Sequence, residues 1–436
     1  MSFRARVIAA FFAISLGAAL VSGRQLFYNL TYVWAGLIAV SFLWSQATAA
    51  GLIFSRERTS IRAQVGQVFR EHFKLQNRSR WGKLWVEVYD HTDIPGYRAN
   101  ALTGLGLVGP SDFVGHRGSE VIEGLEPGHA FDWEARTVCI RRGRFLLGPV
   151  EIRTSDPFGL FPHTTRLRES GHIVVLPPVV RLQAYGVPAG RLSGGDAIRQ
   201  RTHQLTPNAS TVRDYAPGDS LNRIHWKSTA RMQRLIAKEF EFDPLADIWV
   251  VLDGDRTAHH ESLEPQAPFT GSFPSLDDPA AGLPRSTLEY SVTVAASLAY
   301  HFIRLDRNVG LICHSRARIV LPPGRGRPQM KKVLESLAVV AAGGHQSLAE
   351  VMKIEAGRIP RGTTVYMITA SDDASALEAA VGLRALARNP HLIVIDAESF
   401  GGRRGCAGLA AEAQQRGIRT SLIRYGQSLA EALTRV

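Results

Sequence analysis

Two carboxylates one residue apart, Asp253 and Asp255 around Gly254, close the apolar run Ile248–Leu252. Carboxylate oxygens are hard ligands, so such a pair can hold a divalent cation, and the cation can in turn hold phosphate oxygens. Thr257 adds a hydroxyl two residues on. Upstream lies a denser stretch, Arg213–Lys227 (RDYAPGDSLNRIHWK), running on to Arg231. Pro217-Gly218-Asp219 is turn chemistry that leaves Asp219 placed to accept hydrogen bonds or to pair with Arg223 or Arg231. Arg223, Lys227 and Arg231 fall four apart and would line one helix face, a basic surface for a partner. Trp226 and Ile224 are expected to pack into a domain junction. His225 could titrate near neutrality, but beside a Trp it reads as a packing residue. His259-His260 falls in a loop and receives no metal role. Arg325 and Arg327, in a Gly-Pro loop, could bind an anion or an acidic partner face.

The elements that must carry these residues follow from composition and pattern. The chain has 436 residues, enough for two or three domains. It carries 51 basic against 39 acidic residues, a net charge of +12, which suits anionic lipid and the flanks of membrane helices. No zinc-finger spacing and no aromatic-basic RNA-binding signature is present, so nucleic acid is not an expected partner. Cys139, Cys313 and Cys406 are widely spaced with no CxxC pair, which suits a reducing compartment.

Residues 1–58 read as a two-helix transmembrane hairpin. Val7–Val21 and Val33–Phe54 are its apolar spans. Tyr28, Tyr32 and Trp34 would sit at one interface. Arg4, Arg6, Arg56, Arg58 and Arg62 fall on one side and only Arg24 on the other, which places the N-terminus and the main domains in the cytoplasm. Residues 59–180 read as a β-rich, immunoglobulin-like sandwich, from short runs such as Leu84–Tyr89, Thr137–Ile140 and Val150–Arg153. Within them, Asp156–Phe161 (DPFGLF) reads as a structural turn, with Phe158, Leu160 and Phe161 pinned to a core. Residues 181–234 are linker and core motif. From 235 to 436, apolar strand and amphipathic helix alternate, which means a doubly wound α/β sheet. Residues 258–286 read as a long exposed loop.

Taken together, these motifs resemble the bacterial domain of unknown function 58 family. The resemblance rests on Arg142-Gly143 with Phe145 and Gly148-Pro149, and on the Asp156–Phe161 turn. It rests further on Tyr215, Pro217-Gly218-Asp219, Arg223, Ile224-His225-Trp226-Lys227 and Ala230-Arg231. It spans nearly the whole chain and implies a von Willebrand factor A-like C-terminal domain. It also implies a MoxR-type AAA+ ATPase as partner, with transglutaminase-like membrane proteins as further neighbours. Such a domain holds Mg²⁺ at D-x-S-x-S after its first strand. Here Asp253, Asp255 and Thr257 occupy that place, so the site looks degenerate. The remaining ligands look missing, and Arg256 and Arg325 would repel a cation, so weakly held Mg²⁺ is the most this set could take.

The resulting expectation is a non-catalytic, membrane-tethered cytoplasmic adaptor or scaffold. It would bind through the edge of the sheet where Asp253–Thr257 and Pro322–Arg327 are expected to converge. The alternative is a membrane-anchored, metal-dependent glycosyltransferase using Asp253-Gly254-Asp255. No Walker-type phosphate loop is present, so ATP hydrolysis is not expected of this chain.

Overall fold

The computed structural model describes residues 3–98, 117–167, 171–182, 211–215, 224–239, 247–261, 283–402 and 405–434. It opens with two apolar helices, α1 (Phe3–Ser22) and α2 (Gln25–Ala49), joined by a turn at Gly23-Arg24. They run antiparallel, with Thr31 donating to Ser15 across the interface and Phe11 stacked on Trp34. Both are long and apolar enough to cross a bilayer. Their outer faces expose large apolar side chains, Ile14 and Leu43 among them. The second helix stops at Ala49, five residues short of the expected span. Gly51, at φ +81°, turns the chain out of the helix, and Phe54 is buried on a strand instead. The β half therefore begins at Leu52 rather than at residue 59.

Eleven strands follow among the described residues. They are β1 (Leu52–Arg58), β2 (Arg62–Gln64), β3 (Val68–Asn77), β4 (Lys83–Asp90), β5 (Gly96–Arg98), β6 (Arg117–Leu125), β7 (Ala130–Cys139), β8 (Gly143–Leu147), β9 (Val150–Thr154), β10 (His163–Leu167) and β11 (Gly171–Leu176). Sheets β1-β3-β7-β5 and β10-β9-β4-β6 share one core, built by Phe54, Phe73 and Leu75 from the first and Val86, Val88 and Ile152 from the second. β3 alternates exposed and buried along its length, the period-two pattern of a sheet with one covered face. The short sheet β2-β11-β8 closes a second core around Phe69, Leu147 and Ile173. Arg56, expected among the membrane-flanking charges, lies inside instead. It pairs with Glu71 at 2.9 Å and Asp90 at 2.7 Å and lies over the Phe73 ring.

A two-stranded ribbon, β12 (Thr211–Asp214) with β13 (Ile236–Glu239), brackets the short helix α3 (Trp226–Met232). The α/β half then runs β14 (Ile248–Leu252), α4 (Thr287–Arg304), β15 (Val309–His314), β16 (Arg318–Gly324), α5 (Gly326–Ala338), α6 (Leu348–Glu355), β17 (Thr364–Thr369), α7 (Ser375–Ala385), β18 (Asn389–Ile395), α8 (Ala407–Gln415), β19 (Arg419–Ile423) and α9 (Leu429–Thr434). The sheet order is β16-β15-β14-β17-β18-β19. All neighbours pair parallel except β15 with β16. Ile248, Val250 and Leu252 face a core with α4, α5 and α9, while Trp249 and Val251 face one with α6, α7 and α8. Strands covered on both faces must be apolar throughout, as β14 is. The connection reverses direction at β14, where open α/β sheets form their ligand crevice.

Arg142 joins the two halves. Its side chain, 3% exposed, pairs with Glu289 of α4. It also donates to the carbonyls of Leu337 (3.2 Å) and Val340 (2.6 Å) at the end of α5. Arg62 pairs with Glu335 of α5, and Val180 N donates to Ser297 Oγ of α4.

Removing one partner of a buried pair leaves an uncompensated charge, so Arg142→Ala is expected to cost about 3–5 kcal/mol, read as a drop in the denaturant midpoint of the detergent-solubilised chain. A loss under about 1 kcal/mol would mean the pair behaves as a surface one. Burial holds the His391 imidazole of β18 down to about 4. Its stabilising contribution is complete above its ordinary 6.5 and is lost as pH falls toward 4. His391→Leu should therefore flatten the fall in stability across that window, and an unchanged profile would assign the fall to other groups.

Candidate functional site

Asp253 follows the last residue of β14 and is 2% exposed. Its Oδ2 accepts from Thr369 Oγ1 at 2.6 Å and its Oδ1 from Asp255 N at 3.0 Å. Its backbone carbonyl lies 2.9 Å from His259 Nε2. Burial raises the Asp253 carboxyl above its usual range, outweighing His259, Thr369 and the Asp255 N–H, which pull it down. Asp255 is half-buried, and its Oδ1 accepts from Thr257 N at 2.9 Å. The two carboxylates thus fold the loop on itself in successive side-chain-to-backbone turns. Gly254 N–C–O is pressed against the chain of Gly343-Gly344, whose Gly344 N donates to Gly254 O at 2.9 Å. A Cβ at Gly254 would strike His314 O, so this crossing requires glycine.

Three further strand ends reach the same edge. His314 closes β15, with Nδ1 2.7 Å from Gln346 Oε1 and Nε2 3.0 Å from Glu355 Oε1. Burial pushes the Glu355 carboxyl up, but hydrogen bonds from Arg318 and His314 outweigh it and hold it below the usual range. Thr369 closes β17, and Ser371 N donates to its Oγ1 at 3.0 Å. Asp396 follows β18 and accepts from Cys406 N at 3.0 Å. The Cys313 thiol is pushed up to about 12 by burial, which removes it as a nucleophile at neutral pH. Among the described residues, no group of three or more His, Cys, Asp or Glu side chains is placed to hold a metal ion.

Several expected positions move. Arg325 does not converge with Asp253. Strand β16 runs antiparallel to β15 and pairs Gly324 with Val309, so Arg325 lies at the opposite end of the sheet, beside Asp306 at 3.6 Å. The run Pro322-Pro323-Gly324 is edge strand rather than loop, a position that tolerates proline. Trp226 is 67% exposed on α3 rather than packed in a junction, while Ile224 is buried as expected. His225 caps α3, its Nδ1 accepting from Ser228 N at 3.2 Å. Lys227 and Arg231 are exposed on α3, and Tyr215 N donates to Leu235 O at 3.0 Å on the ribbon. Gly218, Asp219 and Arg223 lie outside the described residues, as do residues 183–210 and 262–282. His259 is not in a loose loop but is fixed between Asp253 and Thr287. The signal for Thr369 in the sequence is its place at the end of the apolar run Thr364–Thr369, the strand beside β14.

Residues 211–266, which hold the ribbon, α3 and the Asp253 loop, match the family model described as "Protein of unknown function DUF58". Over that segment the chain matches the DUF58 family. The uncharacterized protein YeaD of Bacillus subtilis is 23% identical over 236 residues, 52% of each chain. This chain thus spans about half the length of that relative. Among solved structures, a CARDB domain from Pyrococcus furiosus aligns with 28% of this chain and 91% of that one, at 9% identity and a TM-score of 0.18. The sporulation control protein Spo0M of Bacillus subtilis aligns with 29% of this chain and 49% of that one, at 10% identity and a TM-score of 0.16. Scores at that level carry no fold argument.

A carboxyl raised above its unfolded value binds its proton more readily in the folded state, so Asp253 contributes most at low pH and loses that contribution as pH rises from its ordinary value of 3.8. Asp253→Asn should accordingly stabilise the chain at pH 7 and lose its advantage in acid. Equal stability differences at both pH values would show that the carboxylate is solvated. Thr369→Val, which strips Asp253 of its hydroxyl donor, should cost about 1–3 kcal/mol at neutral pH.

Proposed function

We propose that this DUF58 protein is a membrane-tethered, non-catalytic docking protein. Its α/β half acts as a von Willebrand A-like module, and its β half is an immunoglobulin-like spacer. The partner is a MoxR-type AAA+ ATPase, and the surface that receives it is the carboxyl edge of the sheet at β14. The observation that carries this reading is the state of Asp253. It stands at the switch point of a doubly wound sheet, yet it is 2% exposed and both its oxygens are engaged within the chain. A carboxylate so held shapes a surface rather than bridging a cation to a diphosphate, which favours docking over glycosyl transfer. The outward groups at this edge are Asp255, Arg256, Thr257, Arg316 and Asp372, a mixed-charge rim of the kind that sets register and on-rate in protein complexes.

The tether is the α1–α2 hairpin, with Arg4, Arg6 and the two large halves on its cytoplasmic side. The α1–α2 apolar faces support this reading, since soluble proteins rarely leave such surface open.

The test is direct binding of the reconstituted full chain to a purified MoxR-type ATPase in ATP and Mg²⁺. Asp255→Arg is expected to lower affinity at least tenfold, and Trp226→Ala and Arg325→Ala to leave it within twofold. Loss with Trp226→Ala alone would move the docking surface to α3. No binding by the wild-type chain in any nucleotide state, with turnover of a sugar nucleotide instead, would overturn the proposal.

A further inference from the structure

The Asp156–Phe161 turn has no place in the docking surface, and its side chains do not all enter a core. Asp156 is fully buried and organises the turn, its Oδ2 accepting from Phe158 N at 3.1 Å and its Oδ1 from Phe161 N at 2.7 Å. Leu160 is buried beneath it. Phe161, between β9 and β10, packs edge-on against Phe42 of α2, ring centroids 5.7 Å apart. Its carbonyl accepts from Ser45 Oγ at 2.7 Å. On the other helix, the Arg4 guanidinium of α1 lies against Gly159, 3.0 Å from where a Cβ would stand. Phe158, at the tip, remains 49% exposed.

Position along the helix decides what surrounds this tip. Ser45 and Phe42 precede the end of α2 by four and seven residues, about 6 and 10 Å at 1.5 Å per residue. The helix itself, at 25 residues, is about 37 Å long, more than the roughly 30 Å hydrocarbon core needs. The turn therefore reaches past the helix end to the level where acyl chains meet headgroups. Phe42 stays 48% exposed and Leu43 66% exposed at that level, so the neighbouring helix faces are open to lipid. Lys83 fixes the depth. Its ammonium donates to Ala50 O at 2.9 Å and Ala47 O at 3.4 Å, capping the C-terminal end of α2 and tying it to β4.

We propose that the Asp156–Phe161 turn is an interfacial anchor that inserts the Phe158 ring into the leaflet facing the β half, beside the headgroup phosphates of anionic lipid. Aromatic rings favour this boundary, and the exposed Arg4 and Arg6 supply the matching positive charge. The turn thus sets the angle at which the rigid cytoplasmic body leaves the membrane. The inference rests on the membrane hairpin of the preceding section.

The three native cysteines among the described residues are buried, so a spin label can be placed singly. The full chain would be reconstituted in vesicles of phosphatidylcholine with phosphatidylglycerol. Labels would stand at Phe158→Cys, at Leu43→Cys on α2 and at Leu386→Cys after α7, and oxygen and nickel-chelate accessibilities would be compared. The expected result is an oxygen-to-nickel ratio at 158 severalfold above that at 386 and approaching that at 43. A ratio at 158 equal to that at 386, with 43 in lipid, overturns the anchor and leaves the hairpin standing. Water exposure at 43 overturns the hairpin and the anchor with it.

Discussion

The guanidinium of Arg142 is the contact on which the placement of everything else depends. It leaves the β half just before β8 and is swallowed by the α/β half, meeting the Glu289 carboxylate and two carbonyls at the end of α5. Burying a charge is costly unless every donor finds a partner, and a planar five-donor group can satisfy three acceptors at once. A lysine could not reproduce that fork. The neighbouring Gly143 lets the Phe145 ring fold back over the chain, where a side chain would collide with it. The Arg-Gly pair and the aromatic two residues on are thus one device, a plug and the space that lets it seat. Arg62 with Glu335 repeats the contact at the rim.

With that joint closed, the polar groups at the carboxyl edge can be spent internally. Asp253, His314, Thr369 and Asp396 stand at or just past four strand ends, and each bonds to a neighbouring part of the chain. At Asp253 desolvation outweighs His259, Thr369 and the Asp255 N–H, which offset it only in part. Their effect is to hold the loops rigid, so that the groups facing outward are presented in one arrangement. A surface of that kind loses little side-chain entropy when a partner arrives.

Much of the α/β half could be read from the chain because its strands are covered on both faces. Ile248–Leu252 is a continuous apolar run, and its bounds fall where the pattern puts them. The misreadings share a different cause. Pro322-Pro323 suggested a loop because proline cannot donate to a ladder, yet an edge strand leaves half its donors unused. The direction of that strand, which carries Arg325 away from Asp253, is a tertiary fact with no local signature. Residue type alone points Trp226 and Phe158 toward a core, but burial of a large ring is decided by what the fold brings over it. His259 sat in a segment rich in Pro and Ser, which hid its bond to the Asp253 carbonyl.

Family motifs are often sought at catalytic centres, yet here the Arg-Gly stretch joins the β half to the α/β half, and the Asp-Pro-Phe-Gly turn joins the β half to the helices. Lys83 adds a third tie at the end of α2. The polar groups of these stretches are aimed into joints. Rigid joints in series are useful only when the position of one end must be known at the other. In the proposed topology those ends are the bilayer and the carboxyl edge of the sheet. A docking surface held at fixed height and angle above a membrane presents its partner with a restricted geometry, and restricted geometry raises effective concentration without adding a contact.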